Sequence, residues 1–110
     1  MLDLSALNDK CYEIKLLDGT ELQLGRPTQA MTEFIAQMQK IAKAGDELET
    51  IRALSSLFAR ILNKNKNGIK FKAEELAEVY DTQVIRYVIE DYFDFWNKDV
   101  LENVAFQQNQ

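Results

Sequence analysis

Three carboxylates stand close together in the stretch IEDYFDFW, where Glu90 and Asp91 precede Asp94 by four and three positions. On a helix that spacing brings acidic groups near one another, where they could share a proton or hold a divalent cation. Calcium usually wants loop carbonyl oxygens as well, and an acidic helix face is more commonly just solvated. Other chemistry is scarcer. The chain has no histidine, so the commonest general base and the commonest transition-metal ligand are both missing. Cys11 is the only cysteine, which excludes an intramolecular disulfide and a Cys-His pair. As a reactive thiol it would need a basic neighbourhood, and Lys10 is the only adjacent help. Ser5, Ser55 and Ser56 lack the setting of a nucleophile elbow, and the four glycines build no phosphate-cradling loop. The sequence therefore predicts no catalytic residues, no metal and no cofactor.

Two constellations suit binding better than catalysis. The segment IRALSSLFARILNKNKNGIKFK, residues 51–72, carries six basic residues and no acidic one: Arg52, Arg60, Lys64, Lys66, Lys70 and Lys72. It can be read as contact with phosphates, as contact with an acidic protein surface, or as the solvated face and exit loop of a helix. The second constellation is Tyr92-Phe93-Asp94-Phe95-Trp96, four of the chain's eleven aromatics in five residues. Core packing explains most of it. Phe93 and Phe95, however, fall near opposite edges of the apolar half of their helix, and an uncovered aromatic edge anchors protein partners. Candidate partner-binding residues are thus Phe93, Phe95, Trp96, Arg52, Arg60, Lys64 and Lys66.

The elements that must position these residues are legible in outline. A chain of 110 residues is most simply one domain, able to bury about 60–70% of its unfolded surface. Hydrophobic content of 46% with 28% charged residues is ordinary for a soluble globular chain. Neither a spanning segment of roughly 18 apolar residues nor a signal peptide is visible, so the expected location is the cytoplasm. The net charge of −5 is unevenly distributed, at +2 over residues 1–72 and −7 over residues 73–110. That polarity could orient the molecule against neighbours.

Residues 11–25 alternate as a hairpin. A two-residue Asp18-Gly19 turn would set Ile14 opposite Gln23 and Leu16 opposite Glu21, matching apolar faces with polar ones. A three-residue loop, Leu17-Asp18-Gly19, instead pairs Tyr12 with Leu24, Ile14 with Leu22 and Leu16 with Thr20. Helices are expected over about 28–44, 46–63, 73–80 and 81–105, with 106–110 a frayed tail. Thr28, Asp46 and Asp81-Thr82 are the caps. The first helix shows Met31, Phe34, Ile35, Met38, Ile41 and Ala42 at helical spacing, and the second shows Leu48, Ile51, Leu54, Phe58, Ile61 and Leu62. In the last, Val84, Ile85, Val88, Ile89, Tyr92, Phe93, Phe95, Trp96 and Val100 share one half of the circumference, a width suited to the central helix of a bundle. The fold class is α+β, mainly α: an N-terminal hairpin packed on about four helices. Ile69–Lys72 is the one candidate third strand; without it the hairpin edge is open to another subunit.

This order of elements resembles a family. YEIKLLDGTELQLGRPT leading into an amphipathic helix, then a second helix, a basic turn and FKAEELAEVYDTQVIRYVIEDYFDFW, is similar to the tail assembly chaperones of long-tailed bacteriophages and prophages, over about residues 11–97. The resemblance implies a non-enzymatic protein that keeps the long helical tape measure protein soluble during tail assembly. It also implies the tail tube protein as a second partner and a location in the bacterial host's cytoplasm but not in the mature virion; the wide apolar helix faces, the uneven charge and the hairpin edge suit self-association. The alternative is a small regulatory nucleic-acid-binding protein that uses the basic stripe of residues 52–72.

Overall fold

The structure, a computed structural model, describes residues 1–5 and 10–108, with side chains described through residue 98. It is α+β and mainly α, a two-stranded antiparallel hairpin followed by four helices. Alternation makes a strand where one face is buried, and parity decides the register. Strand β1 (Tyr12–Lys15) pairs with β2 (Glu21–Leu24), Tyr12 opposite Leu24 and Ile14 opposite Leu22. Leu16 N donates to Thr20 O at 2.8 Å and Gly19 N to Leu16 O at 2.9 Å, so the loop is Leu17-Asp18-Gly19, as parity requires. Gly19 has φ +91°, a left-handed conformation that a side chain would strain. Leu22 and Leu24 are buried while Glu13, Lys15, Glu21 and Gln23 face solvent.

Each long helix begins where a short polar side chain can satisfy an unpaired backbone N–H. Thr28 accepts from Met31 N at 3.2 Å to open α1 (Gln29–Lys43), and Asp46 accepts from Glu49 N at 3.1 Å to open α2 (Glu47–Leu62). After the short α3 (Ala73–Val79), Asp81 accepts from Val84 N at 2.8 Å to open α4 (Thr82–Gln108). The helix continues through residues 106–108, which the sequence pattern assigns to a frayed tail; residues 109–110 and the side chain of Val100 lie outside what is described. At 27 residues α4 is about 40 Å long. With Arg86, Glu90, Asp91, Asp94 and Lys98 along it, length does not make it a span: among the described residues no helix is long and apolar enough to cross a membrane.

The central helix is α2, not α4. It packs against α1, α3, α4 and β2, and Leu57, Phe58, Ile61 and Leu62 are wholly buried. Its small residues Ala53, Ser55 and Ala59 are buried too, which lets neighbours approach on more than one side. The broad apolar half of α4 packs on α2 and the hairpin and leaves Phe93 half-buried. Burial on α2 starts only at Ala53, so Leu48 and Ile51, expected in the core, are 57% and 44% exposed.

Ile69–Lys72 does not become a third strand. The last turn of α2 runs instead into Lys64–Lys66, where Gly25 N donates to Lys64 O and Lys66 N to Gln23 O, both at 3.0 Å. Those bonds occupy the outer edge of β2 at its end. The segment beyond is held by asparagine side chains that imitate a strand partner. Asn63 Oδ1 accepts from Phe71 N at 2.7 Å and its Nδ2 donates to Phe71 O at 3.0 Å. Asn65 does the same for Ile69, at 3.0 and 2.6 Å, and adds bonds to Leu62 O and from Asn67 N. No shorter or charged side chain offers both donor and acceptor in that geometry. Asn65→Ala is expected to lower unfolding free energy by about 1–3 kcal/mol, and Asn67→Ala by less than about 0.5 kcal/mol. Urea unfolding midpoints of the two variants check this.

Candidate functional site

With α2 at the centre, α1 and α4 both lean on it and share no extensive interface with each other. Between them lies a groove of about 540 Å³. Helical spacing builds its walls. Positions 35, 38 and 42 of α1 present Ile35, Met38 and Ala42, positions 89 and 93 of α4 present Ile89 and Phe93, and Leu54 of α2 forms the floor. Pro27, which ends the hairpin ladder and precedes the Thr28 cap, also lines it. The α1 rim is uncharged, with Thr32 and Gln39. The α4 rim carries Arg86, then Glu90 and Asp94 one and two turns further on. A second hollow of about 530 Å³ lies over the hairpin and is lined mainly by the polar residues Glu13, Lys15, Glu21, Gln23 and Asn67.

The opposite side of α4 is fastened to the hairpin. Tyr12 Oη donates to Asp91 Oδ2 at 2.5 Å, and Tyr92 Oη donates to the Gly25 carbonyl at 2.6 Å. Phe95 packs edge-on against Tyr12 and Trp96, with ring centroids 5.5 and 4.9 Å apart, and Lys10 Nζ lies 5.5 Å from the Phe95 ring. Trp96 is buried under the Arg26 guanidinium, which sits 4.7 Å from the ring centroid. Its indole N–H makes no hydrogen bond of proper geometry, although it lies near enough to the Tyr92 hydroxyl to favour the ionised phenol slightly.

Of the seven partner-binding candidates only Phe93 lines the groove. Phe95 is half-buried against Tyr12 of the hairpin, and Trp96 is core. The basic residues do not converge: Arg52 pairs with Glu49 at 3.5 Å, and Arg60 stacks 4.8 Å from the centre of the Phe34 ring. Lys64 is half-buried, and it and Lys66 give backbone groups to the hairpin edge. The carboxylates separate likewise. Asp91 faces Tyr12, whereas Glu90 and Asp94 stand on the groove rim, and among the described residues no three acidic or sulfur groups gather as a metal site. Ile35, Met38, Leu54 and Ile89 were legible as apolar helix positions, and their spacing signals only burial. Leu54 and Ile89 are indeed buried, while Ile35 and Met38 remain half-buried because α1 and α4 stand apart, which no local pattern encodes.

No family model, no curated protein and no solved structure matches this chain.

Both hairpin-fastening phenols are held above the ordinary tyrosine range. Burial is the main cause for each, and for Tyr12 the bond donated to Asp91 adds to it. A raised phenol pKa means that folding favours the neutral form. That contribution is fully present below the unfolded value of about 10 and is lost as pH rises through the folded values. Urea midpoints are expected to fall above about pH 10, and less steeply in a Tyr12→Phe/Tyr92→Phe variant; equal slopes would show that these phenols are not responsible.

Proposed function

We propose that this chain is a non-enzymatic tail assembly chaperone of a long-tailed phage or prophage, and that it holds helical segments of the tape measure protein in the groove between α1 and α4. The observation that carries the reading is the groove itself. Two helices stand apart over an apolar floor, and polar groups line both rims, which is the shape that accepts the apolar face of an amphipathic helix. Phe93, Met38 and Ile35 supply the anchors on which such interfaces depend. The uneven rim selects an orientation: a helix with basic residues along one flank meets Glu90 and Asp94 and leaves its uncharged flank to Thr32 and Gln39. Masking such faces keeps a long helical protein from aggregating before the tube forms around it, and this requires contact but no bond chemistry. The order of hairpin, capped helix, central helix, basic turn and long aromatic helix is the order on which the family resemblance rests. The same reading places the chain in the host cytoplasm during assembly, with the tail tube protein as a second partner.

The basic stripe lends less support to nucleic-acid binding, because Arg52 and Arg60 are engaged within the chain and Lys64 and Lys66 lie at the hairpin edge. Co-expression with a tape measure protein from the same genome tests the proposal. The expected result is a soluble complex, weakened about tenfold or more by Phe93→Asp and unchanged by Arg52→Ala, with circular dichroism showing that both variants fold. A tape measure protein that stays insoluble beside the wild-type chain would overturn it.

A further inference from the structure

The two edges of the hairpin differ. The bond from Leu16 N to Thr20 O fixes the phase of the ladder: residues 12, 14 and 16 turn their backbone groups toward β2, and Glu13 and Lys15 turn theirs outward. The outer edge of β2 is tied to Lys64 and Lys66. Along β1, among the described residues, no backbone group meets Glu13 or Lys15, and both side chains are exposed. An open edge invites a strand, and the sequence of this one selects which.

We propose that β1 is a self-complementary edge by which two copies of this chain pair β1 to β1, antiparallel, about a two-fold axis at Ile14. In that register residue 13 of one copy stands opposite residue 15 of the other. The outward-facing residues are therefore the ones that exchange backbone bonds, and four N–H···O bonds form without disturbing either hairpin. Directly opposed side chains share a face, so each Glu13 carboxylate meets the other copy's Lys15 ammonium on the solvent side, twice by symmetry. On the inner face Ile14, only half-buried in one chain, meets its own copy, and Tyr12 stands opposite Leu16. A shift of the axis by one residue in either direction places Glu13 or Lys15 opposite itself and loses the charge match. The arrangement is isologous, so it closes as a dimer and joins two hairpins into one four-stranded sheet. The junction is short, and the dimer belongs to the weak class, with a Kd of about 10–100 µM. This inference stands apart from the groove and from the functional reading.

Sedimentation velocity across roughly 1 µM to 1 mM tests it. The wild-type chain is expected to pass from monomer to dimer. Lys15→Glu and Glu13→Lys each bring like charges together and should raise Kd about tenfold. The exchanged variant Glu13→Lys/Lys15→Glu restores the match and should recover wild-type association, and an equimolar mixture of the two single variants should form a heterodimer. Lys15→Pro removes only an outward N–H and should abolish association while circular dichroism shows the fold intact. A wild-type chain that stays monomeric throughout, or a dimer whose Kd in both single variants equals that of the wild type, would overturn the proposal.

Discussion

Four residues of one helix face, Leu57, Phe58, Ile61 and Leu62, are wholly shielded from water, and the rest of the molecule is arranged to shield them. Burying an aliphatic or aromatic side chain of this size stabilises a small fold by about 1.5–3 kcal/mol, so leaving any of the four uncovered would be costly. Cover comes from different directions. Leu22 and Leu24 of the hairpin, Met31 of α1, Leu76 of α3 and the Ile85–Trp96 face of α4 all belong to the same core. Tyr80, at the end of α3, stacks edge-on over Phe58 at 5.1 Å and accepts from Leu17 N at 3.3 Å, joining the hairpin loop to this side of α2. α1 and α4 both pack on α2 and share no extensive interface with each other. The groove between α1 and α4 is the consequence.

The long last helix serves two regions at once, and helical geometry separates them. Asp91, Tyr92 and Phe95 turn toward the hairpin and its fastening bonds, while Ile89, Glu90, Phe93 and Asp94 line or rim the groove. One wall of the groove is thereby held in place by hydrogen bonds made on its far side. The Tyr92 bond to Gly25 O also anchors the chain just before Pro27, where α1 takes its starting direction. Polar contacts at the hairpin thus set the relation between the two walls, although neither tyrosine lines the groove.

Much of this was legible in the residues, and the failures have physical reasons. Register and loop length followed from parity because a strand with one buried face permits only one phase, and Thr28, Asp46 and Asp81 were legible as caps because few side chains satisfy a helix N-terminus. Which helix is central was not legible. Periodicity measures the width of an apolar face, and α4 is wide, but α2 owes its place to Ala53, Ser55 and Ala59, whose smallness adds no hydrophobic signal. Ile69–Lys72 alternates like a strand, yet Asn63 and Asn65 hold it by side-chain amides, an arrangement that composition reads simply as a turn. Phe93 and Phe95 were both placed at the edges of the apolar half. Both stay half-buried, and only the packed fold decides that Phe95 lies against the hairpin and Phe93 along the groove.

In the proposed reading a partner helix is held where α1 and α4 stand apart over α2. Amide hydrogen exchange of the intact chain, alone and in the presence of the tape measure protein, tests this most directly. Slower exchange confined to the groove-lining stretches 32–42 and 86–97, with the loop 63–72 unchanged, is the predicted result. Protection centred on 63–72, with α1 and α4 exchanging as in the free chain, would contradict it.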